Sequence, residues 1–268
     1  MKTNNLKNCS IVVTVIILTY LMPKLKSQNM TIDSSAFCDP ETGLCTPASL
    51  SKAVGTVEFR DDVEIIYVGD PMCSWCWGIS PALNRLQVAA HRNGISYRIL
   101  LGGLRPGGGE PWNQKFKDFL RHHWEEVSQR SGQPFGNDLF ERDQFDYDTE
   151  PACRAVVAAR TLKPEVEARF FELVQHYFYV RNQDPKKETF YQPICRELQL
   201  DYGEFLLLFN SDVVKETTQR EFQINRQWGV TGYPTVILRK GNELTAIARG
   251  YAEFEEMWSR VESLIKND

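Results

Sequence analysis

Apolar positions along this chain change period several times, and each change marks an element. Val63, Ile65, Ile66, Tyr67 and Val68 form a run rich in β-branched and aromatic residues, the pattern of a buried strand. Leu83, Leu86, Val88 and Ala89 recur at roughly helical spacing within 81–92, and Asn93-Gly94 stops that helix. Residues 95–101 alternate and then turn fully apolar, which predicts a second strand. From Trp112 to about Asn210 only helical spacing occurs. Helices are predicted over 113–129, which carries Phe116, Phe119, Leu120 and Trp124 at helical spacing; over 149–162, capped by Thr149; over 165–180; and over 187–198. A further helix over 211–228 is followed by a strand ending at Leu238. Lys240-Gly241-Asn242 turns a hairpin, 244–248 pairs back, and 254–266 closes the chain as a helix.

The first 27 residues break this pattern. Lys2 and Lys7 precede an uncharged apolar stretch over 11–22, and Pro23, Lys24 and Lys26 follow it. The stretch has the length of a secretory apolar core and falls short of the roughly 20 residues a spanning helix needs. Tyr20-Leu21-Met22-Pro23-Lys24-Leu25 offers no small-x-small cleavage site, so residues 1–27 are read as a signal peptide or a membrane anchor. Either reading exports the remainder. Residues 28–52 form a polar linker in which Cys38 and Cys45 bracket a Pro-Glu-Thr-Gly turn and could close as an auxiliary disulfide. With 42% hydrophobic and 25% charged residues the rest is ordinary globular sequence. A net charge of −4 provides no basic surface for nucleic acid. Seven cysteines fit export, because thiols outside the cytosol are not held reduced.

The chemistry concentrates at Cys73-Ser74-Trp75-Cys76, between the first strand and the first helix. Positions three apart in a first helical turn share a face, so the two thiols can pair. Unpaired N–H groups and the positive helix end there favour thiolate, which predicts a Cys73 pKa below the usual value of about 8.5. A zinc site would need two more ligands, and His91, His122, His123 and His176 show no such spacing, so no metal is expected. Cys153 and Cys195 read as small buried hydrophobes. The glycine-rich stretch 102–109 lacks the Lys-Ser/Thr of a phosphate-binding loop and reads as a flexible crossing. Met72, Trp75 and Trp77 flank the cysteines and suit contact with unfolded segments.

Taken together, Cys73-Ser74-Trp75-Cys76 after a strand, Pro81 five residues past the second cysteine, and Gly232-Tyr233-Pro234-Thr235 before a hairpin resemble a thioredoxin fold. The helical stretch between the halves makes the chain similar to the DsbA family of thiol-disulfide oxidoreductases. Residues 70–78 with Thr149-Glu150-Pro151-Ala152-Cys153-Arg154-Ala155-Val156 resemble its FrnE-like branch. The resemblance covers about 57–266. It implies an α/β, thioredoxin-like fold in two parts, 53–104 and 211–268, around an all-helical insertion domain over 105–210. It implies Cys73 as exposed nucleophile, Cys76 as buried resolving thiol and Pro234 as a cis-proline facing them. Met72, Ser74, Trp75, Tyr233 and Thr235 would meet the client, whose backbone pairs beside Tyr233. It further implies no bound cofactor, client proteins with thiols or disulfides, a redox-recycling partner that is membrane-bound or soluble, and a periplasmic or cell-envelope location.

Two departures stand out. Ser74-Trp75 is neither Pro-His nor Gly-Pro, so the direction of electron flow does not carry over. Relatives often bury a carboxylate six residues before the first cysteine; here that position is Tyr67, with Glu64 and Asp70 nearby in sequence. Two other readings remain: a kappa-type glutathione transferase or isomerase, which typically uses serine, and a metal-binding or unfolded-protein-binding module.

Overall fold

The computed structural model of the chain describes residues 37–38, 45–46 and 60–266. The lysine-flanked segment 1–27 and most of the polar arm 28–52 lie outside the described residues. Within the arm, β1 (Phe37–Cys38) and β2 (Cys45–Thr46) pair antiparallel, with Cys38 opposite Cys45. They belong to one unit, 1–56; the remaining described residues belong to the other, 57–268.

That second unit is built on β3 (Val63–Gly69), whose β-branched residues are buried on both faces. It runs parallel to β4 (Ser96–Leu101) and antiparallel to β5 (Thr235–Lys240), and β6 (Glu243–Arg249) completes the order β4-β3-β5-β6. Alternation along the strands divides the interior. Val63, Ile65, Tyr67, Ile99, Leu101, Val236 and Leu238 join the large core, while Ile66, Val68, Leu100 and Ile237 pack with Val230 on the other face. Helices α1 (Ser74–Gly78) and α2 (Ser80–Arg92) carry the chain from β3 back to β4. A closing helix, α9 (Phe254–Lys266), packs on α2.

Between β4 and β5 run α3 (Gln114–Ser131), α4 (Glu150–Leu162), α5 (Glu167–Tyr179), α6 (Gln192–Glu197), α7 (Tyr202–Asn210) and α8 (Asp212–Gln227). Residues 105–210 contain no strand. Their aromatic residues, Trp124, Phe140, Tyr147, Phe178 and Tyr179 among them, are continuous with the core on the sheet. Two expected helices start differently. The stretch predicted over 165–180 opens with a 3-10 turn at Pro164–Val166, and that over 187–198 with another at Glu188–Tyr191. Pro164 opens the first of these turns, and Pro193 stands at the start of α6 just after the second.

Thr149 does not cap α4 through its side chain. Its hydroxyl instead accepts from Arg105 N–H at 3.0 Å, and Thr149 N–H returns to Arg105 O at 3.1 Å. Gly107 N–H donates to Asp148 Oδ1 at 2.8 Å and Gly109 N–H to Asp146 Oδ1 at 3.4 Å. The glycine-rich stretch is therefore laced to the start of α4, which corrects the expectation of a flexible crossing.

At the outer edge of the sheet, Glu221 of α8 accepts from Leu101 N–H at 2.8 Å. Arg160 of α4 sits between Glu221 and Glu167 and also reaches Ile99 O at 3.2 Å. Burial pushes the Glu167 carboxyl up, with the Arg160 guanidinium opposing it. Arg160→Ala leaves two largely buried carboxylates without their cation, and we expect a loss of about 3 kcal/mol in urea denaturation.

Candidate active site

Local geometry delivers the cysteines from β3. The strand ends at Gly69, where a Cβ would come 2.2 Å from Tyr67 Oη, so only glycine lets the tyrosine side chain fold back over its own strand. Asp70 follows and turns the chain. Its Oδ1 accepts from Met72 N–H at 2.8 Å, and its backbone carbonyl accepts from Cys73 N–H at 3.0 Å. Cys73 then occupies the N-cap of α1, and its carbonyl receives the first helical bond from Trp77 N–H at 3.1 Å. Cys76 comes round one turn later, within hydrogen-bonding reach of Cys73; both are free thiols.

On the opposite side lies the turn before β5, with a cis peptide bond between Tyr233 and Pro234. Cys73 S–H donates to Tyr233 O at 3.5 Å. Tyr233 is itself anchored: its hydroxyl donates to Gly102 O at 2.6 Å, and a Cβ on Gly102 would meet the ring at 2.5 Å. Cysteine pair and proline turn are thus held together by the two central strands, β3 and β5, whose register sets Val68 opposite Thr235.

Burial separates the expected client-facing residues. Ser74, Trp75 and Tyr233 are half-buried, and Trp75 lies 6.0 Å from Tyr251, over which Arg130 stacks at 5.3 Å. Met72 is fully buried and Thr235 is 3% exposed, so neither can meet a client through its side chain. Met72 points into the core because its N–H and C=O are bound by Asp70 and by the Tyr147 hydroxyl at 2.9 Å; Thr235 is the inward first residue of β5, its hydroxyl donating to Gly232 O. Cys73, expected to be exposed, is 6% exposed, because the Tyr233 turn lies against its sulfur. Trp77 belongs to the core, stacked on Tyr179, with its indole N–H donating to Pro134 O at 3.0 Å.

The electrostatics are set by burial. Burial pushes the Cys76 thiol well above its ordinary range, the adjacent Cys73 adds to this, and the Tyr67 hydroxyl offsets part. The two nearby carboxylates serve other partners. Glu64 is bound by Arg98 and Arg239 at 3.0 Å each, and Asp70 Oδ2 accepts from Leu104 N–H at 2.6 Å and from Cys153 S–H at 3.4 Å. Cys153, read as a small buried hydrophobe, is buried and also bonded to Asp70. Among the described residues no group of three or more His, Cys, Asp or Glu is arranged to hold a metal ion.

Three supports carried no recognisable sequence signal. Tyr147, from the helical segment, holds Met72 O. Gln133 Nε2 donates to Trp77 O at 3.0 Å and to Ser80 Oγ at 2.8 Å, fastening α1 to α2. Gln175 of α5 lines the same small chamber as Cys76. Backbone carbonyls receive two of these contacts, and no residue pattern marks a carbonyl as a target.

A thioredoxin family profile matches residues 66–255. Among solved structures, a candidate protein disulfide isomerase from Nitrosomonas europaea is 30% identical, with a TM-score of 0.71 covering 77% of this chain and 98% of that one. The cytosolic disulfide reductase DsbM from Pseudomonas aeruginosa shares the fold at 22% identity and a TM-score of 0.65, over 76% of this chain and 100% of that one. Two curated relatives are ClpXP adapter proteins SpxH. That of Shouchella clausii is 24% identical over 78% of this chain and 67% of its own length; that of Bacillus subtilis is 25% identical over 66% and 58%. The match thus spans about two thirds or less of those relatives. With the cysteine pair at the start of α1 and a helical segment set between β4 and β5, the chain belongs to the thioredoxin family and has a DsbA-like fold.

Proposed function

We propose that this chain exchanges disulfides with client proteins outside the cytosol, as an oxidase or isomerase working through Cys73-Ser74-Trp75-Cys76. The reading rests chiefly on one contact: Cys73 Sγ stands 3.5 Å from Tyr233 O, so a client backbone pairing beside Tyr233 brings its sulfur to the nucleophile. Half-buried Ser74, Trp75 and Tyr233 form the client-facing rim, and cis Pro234 lies behind them. In the oxidising direction a client thiolate attacks the Cys73–Cys76 disulfide, and a second client thiolate displaces Cys73 from the mixed disulfide. The client leaves oxidised and the protein keeps two electrons and two protons, so no bound cofactor is needed. A recycling partner, soluble or membrane-bound, then removes those electrons. Export is supported by the lysine-flanked apolar segment and the seven cysteines. Cys38 and Cys45, whose backbone positions pair in the register of β1 and β2, would serve as an auxiliary disulfide.

The curated relatives favour a second reading, in which the chain presents a bound protein to other machinery, as their name says of them. Reactivation of ribonuclease separates the two. The oxidised protein should speed recovery of activity from reduced ribonuclease, and the reduced protein from the scrambled form; no acceleration of either overturns the exchange reading and favours the presenting one.

A further inference from the structure

Cys76 is fully buried, and its surroundings resist a negative charge, so the thiol needs a route for its proton before it can attack. The wall behind it is mostly apolar, with Leu83, Ile99, Ala168 and Phe171, but a few polar groups are set into it. Tyr67, Cys76, Ser80, Tyr97, Glu172 and Gln175 line a chamber with about 20 Å³ of room for the centre of a water molecule, roughly what a single water requires. Three polar atoms here are buried and have no partner in the protein: Tyr67 Oη, Gln175 Oε1 and Gln175 Nε2. Leaving such groups unsatisfied is costly, so a bound water is favoured here. Gln175 is fully buried on α5 and offers both a donor and an acceptor, the pair of functions that fixes a water in place. Ser80 Oγ is already committed to Trp77 O and Gln133. Exposed Asn84 and half-buried Gln87 and Glu172 form the mouth toward solvent.

We propose that the Tyr67 hydroxyl and one water held by Gln175 form the proton exit of the resolving thiol Cys76. The inference rests on the exchange chemistry proposed above and assigns α5 of the helical segment a part in it. Within the mixed disulfide, Cys76 S–H gives its proton to the water, which passes it toward the mouth at Glu172. Tyr67 O–H donates to the thiolate left behind. That thiolate attacks Cys73 Sγ; the Cys73–Cys76 bond forms, the bond to the departing sulfur breaks, and that sulfur leaves with the electron pair and is protonated by solvent. Tyr67 keeps its own proton throughout, consistent with burial pushing the phenol well above its usual range. The titratable groups facing Cys76 are Cys73 on its own helix, Tyr67 and Tyr97 on the sheet, Glu172 on α5, and Tyr233 from the turn before β5. Asp70 and Glu64 are bound elsewhere and do not reach the chamber.

The test follows both steps in one time course. Reduced full-length protein is mixed with oxidised glutathione from about pH 6 to about pH 9. Acid-quenched samples are weighed by mass spectrometry for the Cys73 glutathione adduct and for the Cys73–Cys76 disulfide. Tyr67→Phe should slow conversion of adduct to disulfide about ten-fold at neutral pH and move its pH profile up by about one unit. Gln175→Leu, which fills the chamber, should slow the same step. A Tyr67→Phe protein whose conversion keeps the wild-type pH profile overturns the proton exit and leaves dithiol exchange standing. Unchanged conversion in Gln175→Leu overturns the part given to the water. Wild-type protein that forms neither the adduct nor the Cys73–Cys76 disulfide overturns the exchange reading, and this inference with it.

Discussion

Cys73→Ser should abolish the proposed exchange, lowering the rate of ribonuclease reactivation at least about a thousand-fold, because a serine hydroxyl at neutral pH cannot replace a thiolate as nucleophile and leaving group. Cys76→Ser behaves differently. Cys73 should still attack from the N-cap of α1, but with no thiol one turn away to release the client a mixed disulfide should accumulate and survive acid quenching. The two variants read opposite halves of one mechanism. If both merely slow exchange by similar small factors, the division of labour assigned to the pair is wrong. Non-reducing gels and mass spectrometry distinguish these results.

Asp70→Ala should damage both stability and exchange, costing about 3 kcal/mol in urea denaturation. It strips acceptors from two N–H groups, those of Met72 and Leu104, each of which costs about 1–3 kcal/mol when left unmade. These bonds also aim Cys73, so exchange should weaken alongside stability. Asp70→Asn isolates the charge. Burial raises the Asp70 pKa above its usual 3.8, against hydrogen bonds from Leu104 and Met72 that pull it down. The folded protein therefore holds this proton more tightly than the unfolded chain does. The stability tied to it is fully present below about pH 3.8 and is lost as pH rises through the higher folded value. The stability advantage of wild type over Asp70→Asn should accordingly be largest at acid pH and shrink on raising it. An advantage that grows with pH would mean that the carboxylate, not the carboxyl, is the form the fold prefers.

Much of the frame was legible because local chemistry and global fold agree. The run from Val63 to Val68 can only be a doubly buried strand, and a Cys-x-x-Cys after it falls at a helix start. Gly232-Tyr233-Pro234-Thr235 announced the turn before β5. Direction of side chains was less legible. Met72 and Thr235 adjoin the site in sequence, yet one faces the core below Asp70 and the other faces inward on β5. Proximity along the chain says nothing about which way a side chain points. Thr149 looked like a cap because threonine before a helix usually is one; here Arg105 N–H, 44 residues away in sequence, claims the hydroxyl. Gln175 was invisible as a functional residue, since a glutamine inside an aromatic helix reads as an ordinary polar position until Tyr67 and Cys76 are seen beside it.

The most direct test of the account is the redox equilibrium of the Cys73 and Cys76 pair against glutathione. The account predicts a single reversible two-electron transition in wild type, replaced by a trapped glutathione adduct in Cys76→Ser. A midpoint near about −120 mV would make the protein a net disulfide donor, and one near about −270 mV a reductant. Thiols that stay reduced across the whole glutathione range, with no adduct in either protein, would contradict the claim that this pair exchanges disulfides at all.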